Sequence, residues 1–280
     1  MRNIITIAGI FGAAISATAG DVPYGVNGLP HLADRSDVIA IAKSATVGSE
    51  PVQSALLYRI ELGKILKGAP AATTMSVVVP LADGAPPSTD LSGEVLFLAG
   101  PLSPAQLAVW KLRDSGDVYQ LLGGRFGAVE ISGRTARLEA IRTYVSAADS
   151  TDVANYRLKW AERNARNPDA FLQTAAVLEL ERQTDKIRSL ETLSHVVRSN
   201  ASTLNARLLA LQVIADSGTP QGVDTLRRAA ENGRLPDMIR TRAAHELGDV
   251  AAGREILEKW AAGHDQLLVS AAAQALTSAH

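Results

Sequence analysis

Between Asp37 and about Ile131 the apolar residues come in short runs separated by Gly, Pro, Ser and Asp. Asp37-Val38-Ile39-Ala40-Ile41-Ala42 begins a first strand. Leu56, Tyr58, Ile60 and Leu62 alternate with Leu57, Arg59, Glu61 and Gly63, the period of two that puts one face of a strand into a core. Met75, Val77 and Val79 make a third strand closed by Pro80. Val95 to Ala99 is wholly apolar and reads as central, and Val118 to Leu122 and Phe126 to Ile131 complete the set, with Gly123-Gly124 as a turn between them. Such spacing leaves no room for helical crossovers, so it predicts a mainly antiparallel sheet curled into a small barrel. Ala82 to Ser88 is a loop by composition, and Pro104 to Leu112, capped by Ser103, is one inserted helix.

After Gly133 the period becomes helical. Thr135 to Ala147 reads as a connecting helix, and Asp152 caps the next, which runs through Trp160 to about Ala165. Asn167-Pro168 and Thr219-Pro220 each read as an N-cap followed by proline at the first helical position. Gly218, Gly233, Gly248 and Gly263 fall where helices should stop, which predicts about eight helices between Thr135 and His280. Ala210-Leu211-Gln212-Val213-Ile214, Ala243-Ala244-His245-Glu246-Leu247 and Ala272-Ala273-Gln274-Ala275-Leu276 repeat one pattern at intervals of roughly thirty residues, the mark of stacked helical hairpins. The fold class expected is α+β: a barrel over residues 20–133, then an all-α repeat domain over 134–280.

Composition narrows the reading. The chain has 280 residues, 46% hydrophobic and 20% charged, with a formal net charge of -1, which disfavours a nucleic-acid partner. Arg2, the apolar run Ile4 to Ile15 and Ala17-Thr18-Ala19 predict a signal peptide over residues 1–19, hence a periplasmic or secreted protein. There is no cysteine, which removes disulfides and thiolate metal sites, and no later run of about 18 apolar residues suggests membrane insertion after cleavage.

Ile239-Arg240-Thr241-Arg242-Ala243-Ala244-His245-Glu246-Leu247-Gly248 is similar to the V-R-x-x-A-A-x-A-L-G helix of HEAT-like repeat proteins, and Leu268 to Leu276 echoes it without the arginine. An alanine-rich bundle of another kind is the competing reading. Ala33 to Ala42, Leu62-Gly63-Lys64-Ile65-Leu66-Lys67-Gly68, Leu96-Phe97-Leu98 and Gly123-Gly124-Arg125-Phe126-Gly127 resemble the oligonucleotide-binding-type (OB) barrel of tissue inhibitors of metalloproteinases and netrin modules. Those inhibitors chelate a protease metal through an N-terminal cysteine. This chain has none, so the resemblance implies fold and not mechanism.

The residues of catalysis are scattered. His245 with Glu246 and His264 with Asp265 are adjacent pairs, which diverge by about 100° on a helix and seldom share an ion. No H-E-x-x-H, G-x-S-x-G or S-x-x-K constellation is present, and no cofactor is expected. Trp160 and Trp260 read as core or cap-covering residues and not as ligand platforms. Arg227, Arg228, Arg234, Arg240 and Arg242 are the candidate partner-binding residues, set against their use as braces between helices. The expectation is an exported, non-enzymatic protein-binding or scaffold module. The alternative is an enzyme or enzyme inhibitor with a cleft between barrel and helices, drawing on Asp34, Asp37, Arg59, Glu61 and Arg125.

Overall fold

A computed structural model describes residues 28–48, 55–80, 90–112 and 117–278, without the side chains of Arg125 and Phe126. The expected signal peptide and the loop Ala82 to Ser88 lie outside the described residues. The chain divides into two compact units, one containing Asp34–Glu130 and the other Gly28–Ala33 with Ile131–His280.

In the first unit, β1 (Val38–Val47), β2 (Ala55–Lys67), β3 (Thr74–Pro80), β4 (Glu94–Ala99), β5 (Val118–Leu121) and β6 (Ala128–Glu130) form one sheet. Neighbours run β1-β2-β3-β5-β4, and β1 pairs again with β4, so the sheet closes into a barrel. The alternating residues of β2 do what their period demands: Tyr58, Ile60 and Leu62 are buried in the interior with Val38, Ala40, Met75, Val77, Leu96 and Leu98. β4 has four consecutive buried residues. It meets β1 on one side and both β5 and β6 on the other, which explains its unbroken apolar run.

The sheet is mainly antiparallel and Gly123-Gly124 lies in a turn between β5 and β6, as expected, with two details added. β3 and β5 pair in parallel, Ser76 opposite Val118 and Val78 opposite Gln120, because β4 intervenes in sequence and returns the chain to the same direction. Gly123-Gly124 makes no hairpin, since β5 and β6 both lie antiparallel to β4, separated by a short 3-10 turn over Gly124–Gly127. A Cβ at Gly127 would lie 1.9 Å from the Leu122 carbonyl oxygen, so glycine is what lets the chain fold back on itself there. The short helix α2 (Pro104–Val109), preceded by α1 (Leu29–Arg35) in chain order, carries the expected Ser103 cap, closed reciprocally by Gln106. Its Leu107 packs in a second apolar cluster with Ala55, Val78, Leu102 and Val118.

The second unit holds α3 (Thr135–Ser146), α4 (Val153–Asn164), α5 (Ala170–Arg182), α6 (Lys186–Arg198), α7 (Leu204–Asp216), α8 (Pro220–Glu231), α9 (Asp237–Gly248), α10 (Arg254–Ala261) and α11 (Gln266–Ser278). That is nine helices after Gly133 among the described residues. α5, α7, α9 and α11 pack in succession, each also packing on the helix before it, so the unit is a stack of hairpins. Asp152 caps α4 and Thr219-Pro220 opens α8 as expected. At α5 the cap is Asp169, not Asn167. Asn167 instead accepts from the Asp169 amide, forming an Asx turn that leaves Pro168 outside the helix. The four glycines fall at helix ends, but only Gly218 takes a left-handed conformation, with φ +60°. Gly248 serves packing, since a Cβ there would lie 3.2 Å from the Cβ of Ala275 in α11.

A polar device recurs down the stack. Early in α7 and α9, Arg207 and Arg240 each donate through Nε, at 2.8 Å, to a carbonyl at the end of the preceding helix, Val197 and Ala230. Gln173 of α5 does the same toward Ala165 at 3.3 Å. The far end of each side chain reaches the residue that precedes the next stacked helix: Gln173 accepts from the Thr203 amide at 2.8 Å, and Arg240 donates to Asp265 at 2.6 Å. Arg137 of α3 makes the equivalent bond to Asp169 at 2.8 Å. For Arg207 the corresponding residue is Pro236, which has neither carboxylate nor N–H, and the Arg207 Nη2 is buried with no hydrogen-bond partner among the described residues.

Candidate functional site, a polar groove between α3 and α4

α3 and α4 each turn one face toward a common groove of about 300 Å³. α3 contributes Ala136, Glu139, Ala140 and Thr143, the i, i+3, i+4, i+7 set of a single helix face. Small residues at 136 and 140 keep that wall low. From α4 and the residues just after it come Tyr156, Lys159, Trp160, Arg163, Asn164 and Asn167, the same spacing carried one turn further.

The floor is rigid. Trp160 is 4% exposed, donates through Nε1 to the Ala140 carbonyl at 2.9 Å, and meets the ring of Tyr144 edge-on at 4.8 Å. Tyr144 in turn donates to Glu179 at 2.6 Å, and Gln183 donates to the other oxygen of that carboxylate. The Arg157 guanidinium lies 4.8 Å from the Tyr144 ring centroid. Burial pushes the Glu179 carboxyl above the ordinary range, partly offset by the Tyr144 bond and by Arg157 and Arg182. α3, α4 and α5 are thereby pinned together beneath the groove.

The rim is different. Tyr156 is 39% exposed, and Lys159 and Arg163 are exposed without a carboxylate within ion-pair distance among the described residues. Glu139 lies 3.9 Å from Arg142 of its own helix. Asn164 is 4% exposed, and its Nδ2 donates to the Trp160 carbonyl at 2.9 Å. Its Oδ1 accepts no bond from the described residues. Asn167 spends its Oδ1 on the Asp169 amide and leaves its Nδ2 to the groove. The arrangement offers two cations and one amide acceptor along α4, and one amide donor in the turn that follows it.

No protein-family model and no curated protein matches the chain.

The five arginines singled out in the sequence are placed as follows. Arg227 lies 2.7 Å from Asp224 and 3.0 Å from Glu231, and Arg228 lies 2.8 Å from Asp224. Arg240 is buried between Ala230 and Asp265, and Arg242 lies 2.5 Å from Glu246. Arg234 is exposed in the turn between α8 and α9. Four of the five thus meet carboxylates of their own unit. Burial raises the Glu246 carboxyl, as it does Glu179, with Arg242 opposing.

In the barrel, Asp37 accepts from the Gly100 amide at 2.9 Å and Glu61 pairs with Lys43 at 2.6 Å. Asp37 also lines a pocket of about 460 Å³ with Arg35, Gly100, Pro101, Gln106 and Gln120. Trp260 is half-buried and donates to Glu231 at 3.4 Å, in contrast to the buried Trp160. Among the described residues no helix is long and apolar enough to cross a membrane.

The sequence did carry a signal for the groove. Tyr156, Lys159, Arg163 and Asn167 recur at helical spacing on a face that also holds Trp160, but nothing in the sequence says that the facing wall of α3 is built from alanines.

Proposed function

We propose that the protein is an exported, non-enzymatic binding module, and that its helical unit engages a partner protein through the α3/α4 groove. The observation that carries this reading is that Lys159 and Arg163 stand uncompensated over a rigid floor, whereas most arginines of the unit are paired. The finer likenesses belong to the same proposal: HEAT-like repeats for the helical unit, and an OB-type barrel like those of metalloproteinase inhibitors and netrin modules for the first unit. Export rests on the N-terminal sequence pattern.

A photo-crosslinking residue at position 156, in the full chain in its producing cell, should give an adduct of defined mass with a protein. The same residue at exposed position 187 of α6 should not. Adducts from both positions, from neither, or from position 228 instead of 156 overturn the groove assignment.

A second reading, an enzyme or enzyme inhibitor, is favoured by the barrel pocket, where Arg35, with no carboxylate at ion-pair distance among the described residues, lines the same space as Asp37, Gln106 and Gln120. Binding of a small zwitterion that is lost in Arg35→Ala would support it.

A further inference from the structure

We propose that the α3/α4 groove takes an extended, acidic segment of its partner, with carboxylates on alternate residues meeting Lys159 and Arg163 and the peptide backbone bonding to Asn164 and Asn167. The inference rests on the binding reading above and goes further by naming the chemistry of the occupant.

Geometry carries it. Lys159 and Arg163 are four residues apart on α4, a rise of about 6 Å along the axis. An extended strand advances about 6.6 Å over two residues, so a chain lying along α4 presents every second side chain to one of these cations. The side chains between them point away from the helix. The backbone of such a strand needs partners of its own, because a desolvated N–H or C=O without a bond costs about 1–3 kcal/mol. Asn164 and Asn167 supply them. The Oδ1 of Asn164, which accepts no bond from the described residues, is an acceptor for a strand N–H, and the Nδ2 of Asn167 is a donor for a strand carbonyl. Asn164 Nδ2 bonds to the Trp160 carbonyl and Asn167 Oδ1 accepts from the Asp169 amide, so both amides are oriented before anything binds.

The charge also selects. Glu139 is the single carboxylate on the groove, and it already faces Arg142. A basic segment would meet two exposed cations against one carboxylate that already lies 3.9 Å from Arg142, so the charge of the groove disfavours it. A folded helix as occupant would spend its backbone bonds internally and leave both asparagine amides unmet.

Fluorescence anisotropy with the full chain tests this directly. The probes are a labelled octapeptide of alternating Glu and Ser, its Gln/Ser counterpart, and the acidic peptide methylated on its backbone nitrogens. The acidic peptide should bind roughly tenfold tighter than the Gln peptide, the sum of two partly exposed ion pairs. Lys159→Ala with Arg163→Ala should abolish that preference, and added salt should weaken it. Backbone methylation should weaken binding with the charge unchanged. Asn164 is buried, so Asn167→Ala at the groove edge is the companion variant: it also loses the bond from the Asp169 amide, so binding is measured where the variant is fully folded, and there it should lose affinity and keep the acid preference.

Equal binding of the acidic and Gln peptides overturns the proposal. So does an acid preference that survives loss of both cations. Equal binding of the methylated peptide would mean that charge alone is read, as by any polyanion, and overturns it too. Adducts at position 156 without an acid preference overturn the peptide chemistry and leave the binding module standing.

Discussion

The Nη2 of Arg240 donates to the Oδ2 of Asp265 at 2.6 Å, while the Nε of the same guanidinium donates to the Ala230 carbonyl at 2.8 Å. One side chain so ties the end of α8 to the start of α11, with α9 between them. Asp265 also caps α11, accepting from the Leu268 amide at 3.3 Å. The Arg240 bond is the main cause holding the Asp265 carboxyl below its ordinary value, with the α11 amides adding to it.

That lowered value sets a sign. A carboxylate whose pKa falls on folding contributes stability that is present above its unfolded value, about 3.9, and is lost as pH drops through the folded value. Asp265→Ala should therefore lower the melting temperature at pH 7. The difference from the parent chain should shrink steadily below about pH 4. A difference that is constant from pH 7 to pH 3 would show that the charge is not what matters.

Pro236 is where the same device fails, leaving the 6% exposed Arg207 with an unbonded Nη2. Pro236→Asp supplies both the missing acceptor and an N-cap for α9. It should stabilise the chain by about 1–2 kcal/mol in chemical denaturation, the worth of a cap plus a satisfied buried donor. In an Arg207→Leu background only the cap contribution should remain. A double-mutant cycle with no coupling would separate the two residues.

Glu179 and Glu246 carry the opposite sign to Asp265. Their carboxyls are raised by burial, so the folded chain takes up protons before the unfolded chain does, and stability from these groups grows as pH falls toward the unfolded glutamate value of about 4.3. Glu179→Gln with Glu246→Gln should remove that contribution. The melting temperature of the double variant, followed from pH 7.5 to pH 5, should rise less on acidification than that of the parent chain.

Gly68 ends β2 with φ +81°, and a Cβ there would lie 2.1 Å from the Asp37 carbonyl oxygen, where β1 begins. Gly68→Ala should cost at least about 1–3 kcal/mol in chemical denaturation, because backbone and not a movable side chain blocks the methyl group. Gly93→Ala is the comparison: its φ of +78° carries the same conformational strain, but no atom lies within 4 Å of the added Cβ. A cost at position 68 no larger than at 93 would remove the contact with Asp37 as the cause.

Much of the architecture lies in local patterns. The alternation Tyr58-Ile60-Leu62 needs no partner to declare a strand with one buried face, because side chains of a strand point to opposite sides whatever it pairs with. Caps are equally local: Ser103, Asp152 and Thr219 each bond an amide within three residues, so they are legible one helix at a time. The shift from Asn167 to Asp169 at α5 shows the limit of that legibility. Both residues can cap, and the choice follows from Arg137 of α3 holding the Asp169 carboxylate.

The sequence by itself determined the order of a barrel and a helical stack, the period of that stack and the residue types at its helix ends, all of which depend on neighbours in the chain. Only the tertiary structure decided that β3 runs parallel to β5, that Arg240 completes its brace while the Nη2 of Arg207 is left unbonded among the described residues, and that Lys159 and Arg163 stand over a groove walled by Ala136 and Ala140. Each of those depends on residues far apart in sequence being brought within a few ångströms, where a carboxylate, a proline or an alanine decides whether a charge is already spent or free to meet something else.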